Sequence, residues 1–271
     1  MKPIFSIITV NYNNKDGLRK TIQSVINQDF KNFEYIIIDG GSTDGSVEVI
    51  KEYADKIDYW VSEPDKGIYN AMNKGILQVH GEYLNFMNSG DLFYNNNVLT
   101  KFSTLCNKDI ILGKQKFSNG RTEEPPCENF TMMTLFKEHI NHQSTFISHK
   151  LFTKQKYDEN YRIMSDWKFF VDHLIFKNCT FQIIPEYIAL YDITGISAQM
   201  SETRYHEKGN ILQSYLPPRI YKDYINFIKI DSPITYLMPE IFPYPSLERA
   251  ITKLIKGIIK IHKIYLKIIA S

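Results

Sequence analysis

"FEYIIIDGGSTDGS", residues 33–46, runs an unbroken apolar segment into an aspartate, two glycines and a cluster of Ser, Thr and Asp. An apolar run without alternation is a strand covered on both faces, the habit of parallel sheets. Gly40 and Gly41 followed by Ser42, Thr43 and Asp44 form a tight turn that passes the chain to a capped helix. The same unit recurs on either side. Before it, IFSIITV (residues 4–10) precedes a helical face of Leu18, Ile22, Val25 and Ile26. After it come a helix with Val47, Ile50 and Ala54 inward, a short strand near DYWVSEP (58–64), a helix with Ile68, Met72, Ile76 and Val79 on one face, and the strand EYLNFM (82–87). Strands alternating with amphipathic helices give an α/β fold, a mostly parallel sheet flanked by helices. Ligands bind such sheets at the carboxyl ends of the strands. Those ends carry Asn11, Asp39 and the run Asn88-Ser89-Gly90-Asp91.

The second half is less regular. Strands are expected near DIILGKQKF (109–117), QSTFIS (143–148) and FQIIPEY (181–187), with a helix over 165–177 turning Trp167, Phe170, Val171, Leu174 and Ile175 inward. Helices follow over 202–216 and 218–230, then a proline-rich link, MPEIFPYPS (238–246), and a tail helix. This organisation predicts one domain over 1–215, its halves meeting near residue 100, and a helical extension over 216–271. At 271 residues the chain is long enough for that. Three cysteines, Cys106, Cys127 and Cys179, without a C-x-x-C pair suggest neither a disulfide framework nor a zinc cluster, and fit a reducing cytoplasm. The opening MKPIFSIITVNYNN reads as a first strand, not a signal peptide, and no run of eighteen apolar residues is present to span a bilayer.

Taken singly, the motifs each have a plain reading. The DGG turn lacks G-x-G-x-x-G, and an acid at a strand end suits the donors of a base or ribose better than a pyrophosphate. Asp91 is either a turn residue or the one carboxylate a divalent cation needs when phosphate oxygens supply the rest. Ser165 and Asp166 either cap a helix or present a general base. His139 and His142, three apart before a strand-like pattern, face opposite sides, so zinc is not expected and His142 is a polar rim residue. Cys127 has no neighbouring base to activate it.

In order and spacing, however, FSIITVNYNN, IIIDGGSTDGS, DKGIYNAMNKGI, GEYLNFMNSGD and SDWKFF resemble the family 2 glycosyltransferases of the GT-A fold, especially bacterial polysaccharide-assembly members. The resemblance covers about residues 3 to 200. It implies a nucleotide-sugar donor, most often UDP-linked, near Thr9, Asn11, Tyr12, Asp39, Asp65, Asn73 and Asn88. It implies Mg2+ or Mn2+ on the diphosphate at Asp91, and Asp166 as catalytic base for an inverting displacement. His142 and Gln143 match a motif on the acceptor side, where a glycan or polyprenyl-diphosphate-linked glycan would sit. Four positions in three motifs depart from the pattern: Asn88 and Gly90 replace acids of the metal motif, Gly40 replaces the second Asp of DDGSTD, and Met72 replaces an arginine.

The tail adds a separate expectation. Residues 246–271 hold six basic residues against one acid, a local +5 that leaves −3 for the rest of a chain of net charge +2. At 100° per residue its five lysines fall within roughly 80°, opposite an apolar face. Such a basic amphipathic helix suits peripheral attachment to the anionic inner face of a bacterial membrane, or packing on the protein. Nucleic acid is not an expected partner. The rival functions are a nucleotidyltransferase, which would want a glycine-rich phosphate loop that is absent, and a degenerate adaptor of the same fold.

Overall fold

The computed structural model describes residues 2–105, 107–125, 130–193, 201–230 and 243–269. Cys106, Cys127 and most of the proline-rich link lie outside the described residues. The chain divides into two compact units, Met1–Tyr215 and Leu216–Ser271.

In the first unit the strands are β1 (Phe5–Asn11), β2 (Phe33–Asp39), β3 (Tyr59–Ser62), β4 (Tyr83–Phe86), β5 (Leu92–Phe93), β6 (Ile110–Phe117), β7 (Thr122–Glu123), β8 (Thr145–Ser148) and β9 (Phe181–Tyr191). They form a mixed sheet in the order β3-β2-β1-β4-β8-β6-β9-β5, with β7 on β6. β1, β2, β3 and β4 run parallel, as do β6 and β9; β8 runs antiparallel to both β4 and β6 and joins the two halves. The register sets Asn11 beside Asp39 and Asp39 beside Ser62, so these polar residues finish three adjacent strands side by side.

Each face of β1 and β2 is covered. Phe5, Ile7, Tyr35 and Ile37 pack with Leu18, Ile22 and Val25 of α1 (Lys15–Ile26) and Val49 and Ile50 of α2 (Ser46–Glu52). α4 (Val98–Ser103) adds Val98, Leu99 and Phe102 to the same side. Burying each such side chain contributes about 1.5–3 kcal/mol, which is why this half needs no special interaction to hold it. Opposite lies α3 (Ile68–Ile76), whose Gly75 rests on Ile8 and Ile38.

Some expected helix faces are corrected. α2 ends at Glu52 and a 3-10 turn over Ala54–Lys56 changes the phase, so Val49 and Ile50 are buried, Val47 is half-buried and Ala54 is exposed. In α3 Ile68 is exposed and Tyr69 takes the inward place. The helix expected over 165–177 is α7 (Ser165–Phe170) continuing into a π-helical turn, Val171–Phe176, which brings His173 inside and leaves Ile175 half-buried. The short elements β5, β7, α4, α5 (Met132–Lys137) and α6 (His149–Phe152) have no counterpart in the expected layout. Helix α8 (Ser201–Tyr215) closes this unit, and α9 (Pro218–Ile230) and α10 (Pro245–Ile269) belong to the second.

A Cβ added at Gly75 would lie 2.6 Å from Ile8 Cγ2. Gly75→Val should therefore lower stability by about 1–3 kcal/mol through overpacking, despite valine's better helix propensity. Urea unfolding monitored by circular dichroism measures this; an unchanged midpoint would show that α3 can lift off the sheet at no cost.

Candidate active site

The strand ends build two linked polar clusters. At the first, Asp39 is fully buried, and its carboxylate accepts from Asn11 Nδ2 (2.7 Å), Ser42 Oγ (2.6 Å), Ser42 N (2.9 Å) and Ser62 Oγ (2.6 Å). Burial pushes this carboxyl up, but the four donors outweigh it and hold Asp39 below its ordinary value. Ser42 Oγ also accepts from Asn13 N, Thr43 N donates to Asn13 Oδ1, and Lys15 N donates to Asp44 Oδ2. Asp39 is thus the post around which the turns after β1 and β2 are tied. Tyr12, 59% exposed, has a ring atom 3.2 Å from where a Gly40 Cβ would lie.

The remaining donor-side expectations separate into open and closed positions. Asp65 is half-buried, and its Oδ2 lies 2.4 Å from where a Gly40 Cβ would be. A carboxylate from the α3 side therefore occupies the space that an aspartate at position 40 would need. Thr9 is fully buried; its hydroxyl donates to the Met87 carbonyl and contacts Tyr35 Oη. Asn73 spends its amide on Tyr157 and Glu159, pinning α3 to the segment that leads to α7. Thr9 and Asn73 brace the rim from inside and present no open polar group.

The second cluster surrounds two carboxylates. In the turn after β4, Gly90 has φ +105°, and a Cβ there would meet Asp192 Oδ2 at 2.9 Å. Glycine at this departure from the family pattern is thus required by conformation and by crowding. Gly90 N donates to the Thr21 hydroxyl, fixing the turn against α1. Asp91, almost wholly buried, accepts from Gln143 Nε2 and from Asp192 N, both at 3.0 Å. Burial pushes its carboxyl up to about 7, and those two donors only partly oppose this.

Asp166, in the first turn of α7, accepts from Tyr69 Oη (2.7 Å) and Trp167 N (2.8 Å) at Oδ1 and meets His142 Nδ1 (2.7 Å) at Oδ2. Burial again pushes it up, but the His142 contact and charge, then Tyr69 and the Trp167 amide, bring it below the usual carboxylate range. His142 Nε2 in turn lies 3.0 Å from Asn88 Nδ2. Asn88, His142 and Asp166 form one chain from the β4 turn to α7, and the neighbouring Gln143 holds Asp91. Both grips come from one 3-10 turn, His142–Ser144, where a strand was expected. Asn85 anchors that turn from β4 by donating to the Gln143 and Thr145 carbonyls.

The donor set suits a hard divalent cation. Asp91 supplies carboxylate oxygen, and the buried Asn88 Oδ1 has no partner within the described residues. Three acids, histidines or cysteines do not cluster among the described residues, so the protein alone forms no cage and phosphate or water oxygens would complete the shell.

This geometry has the mostly parallel sheet flanked by helices that the motifs imply. The Glycosyl transferase family 2 profile matches residues 6–165, more than half of the chain. The chain belongs to glycosyl transferase family 2. An uncharacterised glycosyltransferase of Mycobacterium tuberculosis is 30% identical over 206 residues, covering 72% of this chain and 78% of that protein. Among solved structures, S. aureus TarS superposes with TM-score 0.64 at 19% identity over 82% of this chain, which spans 42% of the TarS chain. Its 1–349 piece in complex with UDP-GlcNAc gives TM-score 0.63 at 18% identity, covering 81% and 70% of the two chains. A mannosyltransferase of Pyrobaculum calidifontis, in complex with GDP-Man and Mn2+, gives 0.61 at 13% identity, covering 83% and 68%. The structural likenesses establish the GT-A-like α/β fold of this family 2 glycosyltransferase.

Sequence reading did not find Tyr69, Ser42, Ser62 or Asp192. Tyr69 and Asp166 are 97 residues apart, and a lone tyrosine in an amphipathic helix carries no local mark of such a contact. Ser42 was readable only as a turn or cap residue and Ser62 only as part of a short strand.

Asp39→Asn should destabilise this family 2 glycosyltransferase by about 2–4 kcal/mol at pH 7, since an amide cannot accept from four converging donors. A carboxyl held below its unfolded value stabilises above that value, and the contribution is lost as pH falls through the folded one. Urea titrations of both proteins should give a gap that is full at pH 7 and closes toward pH 3; a pH-independent gap would point to packing instead.

Proposed function

We propose that this enzyme transfers a sugar, with inversion, from a nucleotide-sugar donor, UDP-linked by preference, to a glycan or polyprenyl-diphosphate-linked glycan in bacterial surface polysaccharide synthesis. The observation that carries the reading is the pairing of Asp91 and Asp166 at one rim, each gripped by adjacent residues of the turn at 142–143. One carboxylate stands beside the donor's diphosphate and the other beside the acceptor. TarS in complex with UDP-GlcNAc, and the mannosyltransferase in complex with GDP-Man and Mn2+, share this fold, which supports a nucleotide-sugar donor and, from the second, a divalent ion.

The roles follow from which atoms have room. Tyr12 offers a ring face to the base, and Asn11 at the end of β1 keeps a buried Oδ1 without a partner among the described residues. Asp39 acts chiefly by holding the turn that frames the base, and Asp65 takes the place of a residue-40 carboxylate. Asn88 faces the ribose side. Asp91 and Asn88 Oδ1 would hold Mg2+ or Mn2+, whose chemistry there is to offset charge on the departing diphosphate. Both Oδ1 lone pairs of Asp166 are taken by Tyr69 and Trp167, so Oδ2 is the atom that accepts the proton of the attacking hydroxyl. His142 stays on Oδ2 through that transfer and orients it.

Membrane attachment belongs to the same proposal. Among the described residues no helix is long and apolar enough to cross a membrane. Leu254, Ile258 and Ile261 of α10 are nevertheless exposed, on a helix whose other face is lysine-rich. An anionic bilayer matches both faces at once, and would bring the enzyme to a lipid-linked acceptor.

Calorimetric titration of UDP, GDP and dTDP with and without Mn2+ tests the donor site. We expect Mn2+-dependent binding that Asp91→Ala loses, while Asp166→Asn binds normally and transfers about 100- to 10,000-fold more slowly. Silence with all three nucleotides would favour the degenerate adaptor. In a flotation assay with phosphatidylglycerol vesicles, the full chain should float and a chain lacking residues 246–271 should remain below; equal behaviour would remove the membrane from the reading.

A further inference from the structure

Helix α7 carries Asp166 in its first turn, yet no side chain of its own caps it: the N-cap residue is Met164, which makes no capping hydrogen bond. The amides leading into the helix are not left bare. Arg162 N donates to Glu207 Oε1 at 2.6 Å, and Ile163 N and Met164 N donate to Glu207 Oε2 at 3.0 and 3.1 Å. One carboxylate on α8 therefore receives three consecutive backbone N–H groups and ends its grip two residues before Asp166. A negative charge at this end of a helix is also favoured by the helix dipole.

The next residue of α8 reaches the other side of the same segment. Lys208 Nζ lies 5.1 Å from the centroid of the Trp167 ring and donates to the Phe136 carbonyl at 2.5 Å. Trp167 Nε1 donates to the Leu135 carbonyl at 2.9 Å. Asp166 thus sits between a backbone held by Glu207 and an indole held by Lys208 and Leu135. Apart from the Trp167 amide, its contacts are to Tyr69 of α3 and His142 of the 3-10 turn, elements other than α7 and α8.

We propose that Glu207 is a positioning residue for transfer: by fixing the backbone at 162–164 it sets where Asp166 Oδ2 meets the attacking hydroxyl. It touches neither reactant and acts through α7. This inference rests on Asp166 being the base. A carboxylate that bonds three amides at once holds the segment more tightly than a hydroxyl or amide cap, because hydrogen bonds to a charged acceptor are the stronger kind. Displacing a catalytic group by about 1 Å costs on the order of 100-fold in rate, so loss of this grip is read in kcat, with donor binding untouched.

The test compares Glu207→Ala, Glu207→Gln and Asp166→Asn with wild type. The readouts are nucleotide release from UDP-GlcNAc, UDP-glucose, GDP-mannose and dTDP-rhamnose with water as acceptor, titration of the matching nucleotide, and thermal midpoint. Glu207→Ala should lower kcat about 10- to 100-fold while the nucleotide Kd stays within twofold. Glu207→Gln should recover part of the loss, since its amide oxygen still accepts two of the three N–H groups. Unchanged kcat in Glu207→Ala beside a dead Asp166→Asn would overturn the role of Glu207 alone. An active Asp166→Asn, or no nucleotide bound by wild type, would overturn the base assignment and this inference with it. Parallel losses of kcat, nucleotide binding and thermal midpoint in both Glu207 variants would reassign Glu207 to the fold.

Discussion

Two adjacent side chains carry the site. His142 and Gln143 leave one turn in different directions, and each ends on a carboxylate from a different part of the chain, Asp166 from α7 and Asp91 from the β4 turn. A one-residue shift of that turn would release both. The turn is itself bonded to β4 through Asn85, whose amide donates to two carbonyls beside it. The distance between the two carboxylates is thereby referred back to the sheet. β8, which starts immediately after the turn, pairs with β4 on one side and β6 on the other, so the strand that joins the halves of the sheet also positions the turn.

The same logic explains why the strand ends are polar. Asp39 and Asn73 spend their polar atoms on residues of neighbouring segments, so those loops are tied together. Asp39 does this for the turns after β1 and β2, and Asn73 does it for α3 and the segment before α7. Groups left open, such as the Tyr12 ring, are then carried on loops that have little freedom. Preorganisation of this kind lets a site act without reorganising at the moment of reaction.

How much of this was legible in the sequence depends on the range of the interaction. β1, β2 and β4 were readable because continuous apolar runs ending in polar residues follow from local chemistry alone. So were α1 and the placement of Asn11, Asp39 and Asn88 to Asp91 on one rim. The inward phase of α2 was not, because one 3-10 turn resets it, and neither was the π-turn after α7, where Phe169 stacks on Phe152 and His173 packs on Phe169. Roles at the site were legible as residue types, not as partnerships. Glu207 on α8 reads locally as an ordinary solvated acid; only the fold brings it to amides more than forty residues away.

Asp91 is buried and Asp166 half-buried, and both carboxyls are pushed up by desolvation, yet that push wins at Asp91 and loses at Asp166. The difference lies in their donors. Asp91 has one amide side chain and one backbone N–H, whereas Asp166 has a phenol, a backbone N–H and an imidazole whose charge favours the anion. Environments that push two carboxyls apart divide the labour between them. In the proposed role of base, Asp166 is held as an anion, although the bonds that stabilise that anion also weaken it as a base. That weakness is tolerable, because a general base must first be placed correctly and only then be matched in pKa. Tyr69 and Trp167 occupy Oδ1 and leave Oδ2 with His142 alone, so under the proposal the donors that reduce its basicity also select Oδ2. Asp91 has the opposite need: too few donors to settle its charge, in a place that suits a cation arriving with the donor.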